Sequence, residues 1–383
     1  MGQATTTAPD PHATPDESVA DGRLQGLERA GAWQLFWWKF KKHRLAVASG
    51  ILILLIYLVS LFAEFLAPYG PGEYGARYTY APPQSLHIWD GESLGLHVLG
   101  YEVEFNPESY EREFIVDPEQ KIALGFFVRG STYKMWGLFE SDIHFFGPRD
   151  PTRKVYLLGA DRLGRDMLSR IIYGTRVSMT VGLVGVGLSL FLGILLGGIS
   201  GYFGGHIDNA IQRLIEFLLA IPTIPLWMGL AAAIPPTLPP LQVYFMITII
   251  LSLVGWTGLA RVVRGRFLAM RNEDFVTAAR LDGAGEVALI LRHMLPSFSS
   301  HIIAAVTLAI PVMILSETAL SFLGIGLRPP VVSWGVLLQE AQYIRSVATA
   351  PWLLTPGLAV VITVLALNFL GDGLRDAADP YAD

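Results

Sequence analysis

Glu317 is the one carboxylate in the apolar stretch 298–322. An acid there is costly unless it meets water or a partner. Glu317 is therefore a pathway or gate candidate, with a local helix-end cap as the equal alternative. Upstream the chain reads Thr277-Ala-Ala-Arg-Leu-Asp-Gly283 and, nine residues later, His293-Met-Leu-Pro296. Glu273 to Asp282 and Glu286 to Met294 have helical composition, while Gly283 and Gly285 between them permit a sharp bend. The small side chains of Ala278 and Ala279 would let a partner surface approach closely, and Pro296 can open a following helix without breaking a hydrogen bond. The chemistry of such a segment is docking, with Thr277, Ala278, Ala279, Gly283, Ala284, His293, Leu295 and Pro296 as its residues; Arg280 and Asp282 read as solvated or rim contacts. A third pattern, Ser189, Gly193, Gly197 and Gly201, recurs every four residues and lines one helical face, a packing seam that allows close backbone approach.

Catalytic patterns have little support. No Lys follows a Gly, so no phosphate-cradling G-x-x-x-x-G-K-[ST] loop exists, and H-E-x-x-H does not occur; the single G-x-S-x-G match, Gly91 to Gly95, falls among the strand-like stretches of the chain and opens no helical pattern. With no cysteine, disulfides, thiolate metal sites and cysteine nucleophiles are excluded. We expect no metal site and no cofactor bound by this chain.

The elements that must position these residues are membrane elements. The 383 residues are 52% hydrophobic and only 16% charged, too apolar for an ordinary soluble protein. The net charge of −5 offers no basic footprint for nucleic acid. Apolar runs predict six transmembrane helices, at 44–66, 178–203, 211–233, 243–261, 298–322 and 353–371. Pro222, Pro225 and Pro311 should kink the spans that hold them. Residues 1 to about 30 lack the apolar content to order and read as a mobile tail. Trp33 to Arg44 alternates aromatic and basic residues, as an interfacial helix or a simple flank of the first span would, in contact with membrane lipid.

Loop 262–296, with Arg264, Arg266, Arg271, Arg280 and Arg292, is assigned to the cytoplasm, and the Lys- and Arg-free loop at Pro235 to Pro240 to the outside. Both termini are then cytoplasmic. Residues 67–157 become a long outer insertion with Pro and Gly punctuation and strand-like stretches, such as Leu96 to Phe105 and Lys121 to Arg129. We expect a small β-rich module with a modest core. The domain plan is a tail and interfacial helix at 1–43, a first span at 44–66, the insertion at 67–157, and a core at 158–383 carrying helices 2–6.

The docking segment resembles the "EAA" loop of ABC-type import permeases. Ala278, Ala279, Gly283, Leu295 and Pro296 fit that pattern, with Thr277 where the eponymous Glu would stand and His293 where an aliphatic residue is common. Leu158 to Arg176, Gly201 to Asp208, Ser321 to Pro330, Ser333-Trp-Gly335 and Asn368 to Asp376 are similar, in order, to signatures of the dipeptide/oligopeptide branch, second-permease type. The resemblance implies an all-α polytopic fold of six helices in a bacterial or archaeal inner membrane. It also implies a homologous second permease, two ABC ATPases that carry ATP and Mg, and an extracytoplasmic substrate-binding protein. Di- or oligopeptides are the implied cargo, with oligosaccharides, opines or nickel as alternatives within the branch. An ion-coupled secondary carrier is the reading from another class, disfavoured by the lack of paired intramembrane acids.

Overall fold

The computed structural model describes residues 32–89, 94–105, 107 and 112–378. The tail predicted over residues 1 to about 30 lies outside the described residues. Helix α1 (Ala32–Lys42) collects Lys39, Lys41 and Lys42 in its last turn. Its Phe40 is buried with Ala46 and Ala377, so this short helix rests on both the first and the last long helices. His43 breaks the chain, and its Nδ1 accepts from the backbone of Ala46 to cap α2 (Arg44–Leu61). The first span ends at Leu61 rather than 66, because Phe62 interrupts the helix before the single turn α3 (Ala63–Leu66).

Between the first and second spans lies a four-stranded antiparallel sheet in sequential order: β1 (Leu86–Trp89), β2 (Leu94–Phe105), β3 (Arg112–Met135) and β4 (Phe139–Pro148). The long β3 serves two hairpins. Its first half pairs with β2, from Phe105↔Arg112 to His97↔Ala123, and its second half with β4, from Leu124↔Pro148 to Met135↔Phe139. The buried core is small: Val98, Ile122, Leu124 and Val155. Alternation along the strands supplies one thin apolar layer, which suits a module of this size.

Among the described residues, five helices are long and apolar enough to cross a membrane. After α2 these are α4 (Met167–Phe203), α7 (Pro240–Met270), the span Ile302–Phe322 and the span Pro351–Ala378. The predicted span 211–233 is instead a broken pair, α5 (Gly205–Ala220) and α6 (Thr223–Ala232), bent by 88°. The cause is local: a residue before proline is pushed out of the helical region. Ile221 takes φ −88°, ψ 128° and Pro222 follows at φ −55°, ψ 128°. Counting the pair as one span gives six.

Several helices run past their apolar windows, since helical hydrogen bonding continues where hydropathy stops. Helix α4 starts eleven residues before the predicted 178, and α7 extends to Met270 rather than 261. The seam residues of α4 face α7: a Cβ on Gly193 would stand 2.9 Å from Leu259, one on Gly197 2.5 Å from the Ala260 carbonyl, and one on Gly201 2.6 Å from that of Arg264. Ser189 lies on the same face, its Oγ 3.5 Å from the Ser252 carbonyl. Beyond α7 come α8 (Asp274–Leu281), α9 (Glu286–Ala288) and α10 (Leu295–Ser297). Next is α11 (Ser299–Phe322), which continues through Pro311 without a break. The chain closes with α12 (Trp334–Leu338), α13 (Ile344–Thr349) and α14 (Thr355–Ala378).

Candidate partner-docking loop and the ties behind it

The segment from Asp274 to Ser297 folds around its own core. Val276, Ala279, Leu289 and Met294 are buried together with Val263 and Phe267 from the end of α7 and Phe298 before α11. The core of the loop is thereby continuous with the end of α7 and the approach to α11. Helix α8 ends in a Schellman motif: Gly283 N–H donates to the Arg280 carbonyl and Ala284 N–H to that of Ala279. Gly283 holds φ +85° with open space where a Cβ would stand, so conformation and not crowding calls for glycine. Leu289 to Met294 then widens into a π-turn, and Leu295 N–H reaches back to Ile290. Pro296, which has no N–H to continue a tighter ladder, follows at once. Phe298 separates it from α11, so Pro296 opens a one-turn helix and not the span itself.

The predicted docking residues divide into two groups. Thr277, Ala278, Gly283 and Pro296 are exposed. Ala279 is buried, and Ala284, His293 and Leu295 are half-buried, so they shape the loop from within. Ala279 therefore supports the helix cap instead of offering a surface. The most exposed large apolar side chains of the segment, which sequence reading passed over, are Leu281, 83% exposed, Val287, 69%, and Leu291, 55%. They stand out only once α8 and the turn after it are placed, because each belongs to a different local helix.

Behind the loop lies a charged tie. Arg264 on α7 donates Nε to Asp208 Oδ1 at 2.5 Å and Nη2 to Oδ2 at 2.6 Å. Ser200 Oγ on α4 donates to the same carboxylate, and Gln212 Nε2 donates to Ser200. The bidentate pair joins α4, α5 and α7 beside the Gly201 contact. Asp208 closes the Gly201–Asp208 motif, and its partner Arg264 had registered only as loop charge.

Glu317 is fully buried. Ser321 Oγ and Ser333 Oγ donate to its Oε1 at 2.8 and 2.7 Å, and Ser178 Oγ to Oε2 at 3.5 Å. Ser178 in turn accepts from Trp334 N, and Ser333 caps α12 by accepting from Val336 N. Gly335 lies so close to α11 that a Cβ would stand 2.8 Å from Thr318 Cα. The Ser333-Trp-Gly335 motif thus pins α12 against α4 and α11 through one carboxylate. In this conformation Glu317 ties α4, α11 and α12 together and is closed off from solvent.

The Leu158 to Arg176 motif builds the cap of α4. Asp161, fully buried, accepts from the backbone of Leu163 and Arg165, from Arg165 Nε at 2.6 Å and from Arg170 Nη1. Glu340 reaches Arg162 at 3.2 Å. Asp166 N-caps α4 through Ser169 N and Oγ. Burial pushes the Asp166 carboxyl up to about 6, with Asp161 adding to the rise and the Ser169 bonds opposing it. No group of three or more His, Asp or Glu side chains that could hold a metal ion occurs among the described residues.

Residues 193–382 match the family model described as the binding-protein-dependent transport system inner membrane component, and residues 31–83 match the N-terminal TM domain of oligopeptide transport permease C. The dipeptide transport system permease protein DppC of Haemophilus influenzae is 34% identical over 91% of this chain and 94% of its own length. The di/tripeptide transport system permease protein DppC of Pseudomonas aeruginosa is 32% identical over 90% and 91%. The oligopeptide transport system permease protein OppC of H. influenzae is 38% identical over 60% of this chain and 70% of its own. With an N-terminal and a C-terminal region matched and relatives aligned nearly end to end, this chain belongs to the family of binding-protein-dependent ABC transporter permeases, the inner-membrane components that include DppC and OppC.

Proposed function

We propose that this chain forms half of the translocation pathway of an ATP-driven importer and that its cargo is di- or oligopeptides handed over by an extracytoplasmic binding protein. A homologous permease supplies the other half. Two ATPase subunits bind ATP and Mg, and this chain binds neither. In this reading the chain crosses the membrane six times, with the bent pair as the third crossing. Both termini and loop 262–296 are cytoplasmic, and the sheet is outside. Closure of the ATPases shifts the pair of permeases between inward- and outward-facing states through their different affinities for the two.

The observation that carries the reading is the build of the loop: an apolar crest of Leu281, Val287 and Leu291 stands on a core continuous with α7 and the approach to α11. A connector needs no such crest, whereas a surface that must move two spans does. The peptide assignment is supported by the named cargo of the relatives. Its direct measure is the ligand retained by the binding protein that stimulates the complex.

Gly283→Val tests the docking role. A β-branched residue in the left-handed region costs about 1–2 kcal/mol, which should undo the Schellman cap while leaving the spans in place. The expected outcome is a membrane-inserted variant that copurifies with markedly less ATPase and loses substrate-stimulated hydrolysis. Full retention of both would sink the assignment. Sidedness is tested separately in this cysteine-free chain: Asp282→Cys should react with an impermeant thiol reagent only after permeabilisation, and Glu119→Cys in intact cells.

A further inference from the structure

The turn that joins β3 to β4 does not point away from the spans. Trp136 Nε1 donates to the carbonyl of Leu61, the last residue of α2, at 2.8 Å, and its ring lies 6.0 Å from that of Phe62. Behind the turn, Phe65 meets Phe127 and Phe145 at 6.0 and 5.8 Å between ring centres. The tip itself is apolar and open: Leu138 is 75% exposed and Phe139 63%. The surface of α2 leading up to it, Leu54, Leu58 and Leu61, is exposed as well, as a lipid-facing helix surface must be. The apolar tip is therefore continuous with the face that the bilayer covers.

Depth can be reckoned along α2. From Arg44 to Leu61 the helix rises about 26 Å at 1.5 Å per residue, against a hydrocarbon core of about 30 Å. Lys41, Lys42 and Arg44 mark one interface, so Leu61, and with it Trp136, falls at the opposite hydrocarbon boundary. Trp is favoured at that depth, its ring in the apolar layer and its N–H bonded. Just behind the tip Lys134 pairs with Glu140 at 3.0 Å, which puts charge at headgroup level and leaves the tip without any.

The backbone is bent to achieve this. Leu138 N–H donates to Met135 O, closing a turn with Trp136 at φ 52° and Gly137 at φ 74°. Gly137 suits the left-handed region, whereas a tryptophan there is strained. Phe127, in the aromatic cluster behind, is left-handed too, at φ 55°. Asn, Asp or Gly would relieve a turn made only to reverse a strand. An aromatic residue held there by a hydrogen bond to α2 indicates that the ring's position is what matters.

We propose that the β3–β4 turn inserts Trp136, Leu138 and Phe139 into the interfacial layer of the bilayer, so that the sheet is anchored on lipid beside the first span. The inference rests on α2 being transmembrane, not on which side the sheet occupies. The partner it fits is the acyl and glycerol region of a phospholipid leaflet. The test is a nitroxide on Leu138→Cys, with Phe139→Cys as a second site and Glu119→Cys as the water-exposed reference. The transporter complex is purified through this chain and reconstituted in phosphatidylcholine/phosphatidylglycerol nanodiscs. Power saturation should give an oxygen-to-nickel accessibility ratio severalfold higher at 138 and 139 than at 119. A nickel accessibility at both sites equal to that at 119 would mean an aqueous tip and overturn the proposal. Low accessibility to both reagents would mean a protein cover, such as the second permease, and would equally overturn it. A reversed thiol-labelling pattern at Asp282→Cys and Glu119→Cys would move the sheet to the other side while leaving the accessibility result meaningful.

Discussion

Glu317 and Asp208 are both acids set among apolar helices, yet they are held in opposite ways. Among the described residues Glu317 has hydroxyl partners only, gathered from α4, α11 and the start of α12, and no cation. Asp208 has a bidentate arginine, and that arginine keeps a third of its side chain exposed. The first is a closed knot, each of its serines also accepting from a backbone N–H, Ser178 from Trp334, Ser321 from Leu327 and Ser333 from Val336. The second is a pair with access to water, able to open and reform. A rigid wall near one end of α4 and a yielding joint near the other is the division this difference teaches.

Removing the closed knot should cost most. Glu317→Ala strands Ser321 and Ser333 hydroxyls and should lower the stability of the purified complex by about 2–3 kcal/mol, read by chemical or thermal unfolding in detergent. Glu317→Gln keeps the Oε1 acceptor and should lose far less. Abolished uptake in the Gln variant at undiminished stability would turn the brace back into a gate.

The open joint should cost less per member. A double-mutant cycle of Asp208→Asn and Arg264→Gln should yield a coupling of about 1–2 kcal/mol, reduced by solvent screening on the arginine side. A coupling as large as the loss in Glu317→Ala would erase the distinction between the two ties.

The seam between them provides a sharper contrast. Gly197→Ala drives a methyl to 2.5 Å from the Ala260 carbonyl and should cost about 1 kcal/mol or somewhat more. Gly187→Ala, on the same helix with nothing within 4 Å, should be neutral or slightly stabilising by helix propensity. Equal effects would show that α4 and α7 are not closely apposed in the membrane.

The last effect is read as a slope against pH and concerns the α4 cap. Asp166 has its folded-state pKa raised from 3.8 to about 6, so the folded state holds the proton more tightly than the unfolded one. Its contribution is complete below about pH 4 and is lost as pH rises through about 6. Unfolding midpoints should therefore fall over that window, and Asp166→Asn should flatten the slope. An unchanged slope in the variant would assign it to Glu340 or another group.

The apolar spans and the bend at Gly283 were legible because each is written locally. Hydropathy marks where lipid contacts a helix, and Gly283 announces its own backbone angle. What escaped was non-local or fell at helix ends. The ends of α4 and α7 lie beyond the apolar windows, since backbone hydrogen bonds do not stop at the hydrocarbon edge. The break at Ile221–Pro222 was visible as a proline but read as a kink, because sequence does not say whether the helix resumes along the same axis. Arg264 and Asp208 are 56 residues apart, and only packing reveals the pair. Leu281, Val287 and Leu291 fit no single periodicity, so their common exposure has no signature in the string.

Helix α4 is one uninterrupted rod of 37 residues, about 55 Å long. Its two ties, at Ser178 and Ser200, are about 33 Å apart along it. With the first fixed, a helix shift of about 2 Å at the second needs a tilt of only about 3–4°. Met167, some 16 Å past the fixed point, then swings the opposite way by about 1 Å. A displacement received at one surface is returned at the other halved and reversed in sign, the behaviour of a rocker arm with an off-centre pivot.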